Sequence, residues 1–169
     1  MPPHCDSMDG PVVVAAQRAL GEDDVELVAP YVHADSEHEL RQAFDLASKA
    51  RVAGGDARQV ADRWFFETVV RLHRAGEGAV FTGLKPAGLD VGPVIPVAEH
   101  SVGSGSPDEL ADVLCRIVRE QAERRHARVV ELKEHAAESL PAAREYVEAL
   151  LGLQVWSQGI YKQAVAGGR

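Results

Sequence analysis

The chain has little cysteine, few aromatic residues, no long apolar run and no excess of positive charge, and each shortage excludes a class of protein. Cys5 and Cys115 are the only cysteines, too few for a disulfide scaffold, so reduced thiols are expected. No stretch approaches the ~18 uninterrupted apolar residues of a membrane helix. The first ten residues, MPPHCDSMDG, lack the basic start and apolar run of an export signal. A cytoplasmic chain without a membrane partner is therefore expected. Lys and Arg number 18 against 26 Asp and Glu, a net charge of −8. A nucleic-acid binder needs a basic face to displace counterions, so no nucleic-acid partner is expected. Aromatic residues make up 5% of the chain, which gives weight to their one cluster, Trp64, Phe65 and Phe66.

What is present is helix punctuation; alternating β-type runs are nearly absent. Gly10-Pro11 opens a first helix carrying Val12, Val13, Ala16 and Leu20 at helical spacing, and Gly21 ends it. Asp23 or Asp24 caps a short segment that stops at Pro30. Ser36 and Glu39 form a capping box ahead of the stripe Leu40, Ala43, Phe44 and Ala47, which runs to Gly54-Gly55. Asp56 caps a helix whose Val60, Trp64, Phe65, Phe66, Val69, Val70 and Leu72 cover much of its circumference, the pattern of a central helix. It ends at Gly76. A glycine-rich loop, residues 76–93, and a short helix from Val94 to Val102 follow.

Ser106 to Glu109 is a second capping box, opening a helix to about Ala137 with Leu110, Leu114, Ile117, Val118, Ala122, Val129 and Leu132 inward. Ser139 caps the last helix, with Val147, Leu150, Leu151, Ile160 and Ala164 as its stripe. Gly152 and Gly159 lie seven apart on one face, a spacing that suits close helix approach. The expected fold is all-α, an antiparallel helical bundle of four main helices with short extra helices and a Gly-rich loop. Residues 11–166 read as one domain and residues 1–10 as a separate N-terminal segment.

That segment carries the chemistry. His4-Cys5-Asp6-Ser7-Met8-Asp9-Gly10 gathers imidazole, thiol, carboxylate and thioether groups just before a helix. Adjacent ligands cannot share one helix face, so they would serve an ion only as an irregular hook. Sulfur with imidazole suits copper or nickel first, with zinc and iron as alternatives, over magnesium or calcium. Asp9 has two readings, a ligand or the cap of the first helix. His73 shares a face with Phe66, Val69 and Val70, so it points into the bundle, where a folded-back hook would recruit it as a further ligand.

HCDSMDG resembles the H-C-D-x-P-C-G hook of nickel-containing superoxide dismutase, a small helical-bundle enzyme. His4, Cys5, Asp6 and Gly10 coincide with that hook, while its second cysteine falls on Asp9 and its terminal histidine is here preceded by Met1, Pro2 and Pro3. Over most of the chain, HCDSMDGPVV, WFFETVVRLHRAGEGAVFTGLKPAG and REYVEAL resemble the uncharacterised bacterial helical family DUF6448. That second resemblance implies an all-helical fold and no activity; members of the family often follow an export signal, which this chain lacks.

The expectation is a small transition-metal protein with His4, Cys5, Asp9 and His73 as ligands and Cys5 and His73 at the reacting centre. An oxidoreductase acting on a small or O2-derived substrate is the leading reading. The alternatives are a metal-handling protein with the same ligands and a structural module assembling through the helix at 57–75, with a homo-oligomer as the partner. Cys115 is expected to be an inert buried thiol and His126 a packing residue, with His33, His38, His100 and His135 solvated. GLKPAG lacks the phosphate-loop spacing, and neither a G-x-S-x-G elbow nor an H-E-x-x-H helix is present.

Overall fold

The computed structural model describes residues 3–166. Six helices carry the chain: α1 (Pro11–Glu22), α2 (Glu37–Arg51), α3 (Gly55–Gly76), α4 (Val94–Ser104), α5 (Asp108–His135) and α6 (Leu140–Val165). Short 3-10 turns at Val25–Leu27, Ala29–Tyr31 and Ala34–Ser36 join α1 to α2. Among the described residues there is no strand, and the fold is all-α as expected. No helix among them is long and apolar enough to cross a membrane.

Helical spacing predicts one bundle over residues 11–166. The chain instead divides into two compact units, Met1–Val91 and Gly92–Arg169. The segment before α1 belongs to the first of them.

In the first unit α3 packs on both α1 and α2. Each of these helices turns one apolar stripe inward: Val12, Val13, Ala16 and Leu20 from α1, Leu40, Ala43, Phe44 and Ala47 from α2, and Phe65, Phe66, Val69, Val70 and Leu72 from α3. The small residues let the helices approach closely, and Phe44 meets Phe65 edge to face, ring centres 5.8 Å apart. Trp64, adjacent in sequence, points outward and is 41% exposed, so the aromatic cluster is split between core and surface. Helix ends depart from the spacing in small ways. α1 runs through Gly21 to Glu22 and ends on Asp23, whose backbone is left-handed at φ 55°. α3 starts from Gly54, at φ 69°, and not from an Asp56 cap.

The second unit is built differently. α5 packs on α4 and on α6, and Ser139 caps α6 as expected, its hydroxyl accepting from the Ala142 N–H at 3.2 Å. Of the residues expected inward on α5, Val129 is buried, while Leu114 is exposed. Neither partner of α5 contributes a buried residue, so most of its inward side chains stay open to water whatever the periodicity. Cys115 is exposed and not a core thiol, and His126 is exposed too. Neither Gly152 nor Gly159 has another helix near the position a side chain would take, so they mark no close crossing.

Candidate metal centre

Residues 4–10 form a folded hook pinned to the first unit. Pro3–Asp6 make one 3-10 turn. The chain then reverses: Ser7 N–H and Ser7 Oγ both donate to the His4 carbonyl, at 3.2 and 2.8 Å, and Gly10 N–H donates to Ser7 O at 2.9 Å. Gly10 is required for this turn, because a Cβ there would lie 1.8 Å from the His4 carbonyl oxygen.

Three anchors hold the hook. Ser7 forms a parallel β-bridge with Lys85, in which Lys85 N–H donates to Asp6 O at 2.8 Å and Met8 N–H to Lys85 O at 3.1 Å. Asp9 Oδ2 accepts from Gly88 N–H at 2.7 Å. The third is a buried ion pair: Arg74 Nε donates to Asp6 Oδ1 at 2.7 Å, with each side chain 6% exposed. Arg74 also reaches Glu77 Oε2 at 3.1 Å. The glycine-rich loop is thus a clasp, its backbone pairing with the hook while Phe81 and Leu84 pack against the core beside Cys5 and Met8.

The electrostatics centre on Arg74. Its guanidinium is held in the charged form above all by the hydrogen bond to Asp6, which outweighs its burial, with added attraction from Asp6, Glu77 and Cys5. The Asp9 carboxyl is lowered below its usual 3.8, first by the Gly88 N–H and then by Ser7.

The candidate ligands separate into two groups. His4 and Cys5 lie side by side, Sγ 3.9 Å from Nε2 and 4.0 Å from Nδ1; nearly equidistant from both nitrogens, Sγ lies on neither lone-pair axis, so sharing an ion at bond lengths of ~2.0–2.3 Å requires the imidazole to turn. Asp9 is a clasp residue: its carboxylate serves Gly88, and α1 is capped by Gly10 without a side-chain bond. His73 sits inside the unit as its helical face implies. Its Nδ1 lies 2.8 Å from Tyr31 O; a carbonyl only accepts, so Nδ1 carries a proton. Its Nε2 is buried 3.4 Å from Glu77 Oε1 without a hydrogen bond. Among the described residues no three His, Cys, Asp or Glu side chains gather as a metal site.

Arg74 and Asp6 are the functional residues that spacing missed. Helical periodicity sets Arg74 with Glu67 and Arg71 on the face adjoining that of His73, and it is 5% exposed. The available signal was the carboxylate of Asp6 within a hook expected to fold back onto this helix end.

A family of unknown function, DUF6448, has a family model that matches residues 9–156. The match begins at Asp9, leaving His4 to Met8 ahead of it. No curated protein and no solved structure matches the chain.

Proposed function

The chain belongs to the DUF6448 family, and we propose that its N-terminal hook binds a transition metal through His4 and Cys5. The observation that carries this reading is the pairing of those two side chains, Sγ within 4.0 Å of both ring nitrogens, on a hook whose backbone is fixed at three points. The donor set is soft, which favours copper or nickel. Two protein donors leave coordination positions open, and an open sphere suits metal binding and hand-over.

The second reading is a small oxidoreductase in which the metal would supply redox chemistry to an O2-derived substrate. The coordination positions that two protein donors leave open favour it, since such a substrate needs one. In either reading Asp6, Asp9 and Lys85 position the hook and touch no metal.

The test is metal titration and elemental analysis of untagged protein, using copper(I), nickel(II) and zinc(II). Cys5→Ser and His4→Ala are expected to lose the metal, while Cys115→Ser and His73→Ala retain it. Equal metal content in wild type, Cys5→Ser and His4→Ala would overturn the proposal. Loss in His73→Ala as well would bring His73 back as a third ligand. A metal-thiolate absorption band that responds to peroxide or superoxide selects the oxidoreductase; an unresponsive band selects hand-over.

A further inference from the structure

Helix α6 is apolar on two opposite faces, and the unit uses one of them. Half-buried Tyr146, Ala149, Leu153 and Trp156 share the face turned to α5, where Arg125 lies over the Trp156 ring at 5.0 Å. About half a turn away stand Leu140, Val147, Leu151, Val155, Tyr161 and Val165, all exposed, Leu140 by 63% and Val155 by 73%. Five of them, all but Val155, fall on a coiled-coil seam with Arg144, Gln154 and Gln158 at its other places: 140, 144, 147, 151, 154, 158, 161 and 165 alternate steps of four and three. A shallow groove on this face is lined by α6 alone, from Leu140 to Leu151.

We propose that this face pairs with the same face of a second copy of the chain, the two α6 helices running antiparallel about a two-fold axis near Gly152. Two features select that occupant. The first is area: six large side chains at ~100 Å2 each, with the flanking Ala143 and Arg144, approach the ~800 Å2 per partner of a standard interface. The second is direction. A parallel pair would stack Arg144 on Arg144 at a seam position, whereas the antiparallel pair with Leu140 opposite Val165 brings Arg144 over Tyr161, a cation–π partner. A self-complementary face closes on itself as a dimer and leaves no free end for a filament.

Analytical ultracentrifugation of the full chain at 1 to 100 µM tests this, with far-UV circular dichroism to confirm folding. Wild type is expected to sediment as a dimer. Leu151→Glu and, independently, Val147→Glu are expected to weaken dimerisation at least tenfold with helicity unchanged, and Val60→Glu on α3 to leave it intact. A wild type that stays monomeric at 100 µM overturns the proposal. So does a dimer that survives both α6 variants, or one that Val60→Glu breaks, because the outer face of α3 would then be the interface.

Discussion

The two units take similar apolar composition to different ends. In the first, three helices each give one stripe to a shared centre, and Val12, Leu40, Phe65 and Val69 reach full burial. In the second, α5 and α6 are longer, yet among the described residues Val129 is the buried apolar side chain there. The second unit also has three helices, α4 and α6 both packing on α5, yet neither α4 nor α6 contributes a buried residue, so their stripes do not meet in a shared centre. Helix length is therefore no substitute for such a centre, and the unit without one is where an apolar face stays uncovered.

The contrast breaks most visibly at the cores. Phe65→Ala should cost about 3–5 kcal/mol, against about 1–2 kcal/mol for Val129→Ala, with urea unfolding followed by Trp64 fluorescence for the first unit and Trp156 fluorescence for the second. Equal losses would mean that the two units unfold as one. Next comes the buried ion pair. Arg74→Ala leaves Asp6 charged and unpaired inside the protein, a loss of about 3–5 kcal/mol. Hydrogen exchange should then rise over residues 4–9 and 82–88 and stay unchanged in α5 and α6. Gly10→Ala acts locally, forcing the His4 carbonyl away at about 1–3 kcal/mol; unchanged exchange at Ser7 and Met8 would refute the turn.

The smallest effects are those of pH, and they have opposite sign in the two units. Asp9 has a lowered pKa owing first to Gly88, so its contribution is complete above 3.8 and disappears as pH falls through the lowered value. His135, at the end of α5, has its pKa raised above 6.5 by the hydrogen bond to Glu138. Its contribution is complete below 6.5 and is lost as pH rises through the raised value. Acid should expose the Gly88 amide, and mild alkali should loosen the end of α5; Asp9→Asn and Glu138→Gln should remove the respective responses, read by NMR.

Much of the fold was legible because helix boundaries are local. Pro11, Gly76, Pro107 and Ser139 act through their own backbone or hydroxyl, and helices begin or end within a residue of each. The stripes of α1, α2 and α3 were legible because all three found partners. Those of α5 and α6 misled, since periodicity reports which face is apolar and says nothing of what covers it. Cys115 shows this directly, an apolar neighbourhood in sequence and an exposed thiol in space. For the site, the pairing of His4 with Cys5 follows from adjacency, whereas the roles of Asp9 and His73 turn on Gly88 and Tyr31, 79 and 42 residues away. A short string cannot announce contacts that distant.

The clasp also sets a chronology. Asp6 waits for a partner 68 residues downstream and Asp9 for one 79 residues downstream, and closing loops of that size is entropically costly until the intervening helices have packed. Residues 4–9 are then among the last of the first unit to settle. On the proposed metal reading, an ion present before the clasp closes would meet a pliant peptide, and one present afterwards a hook already folded.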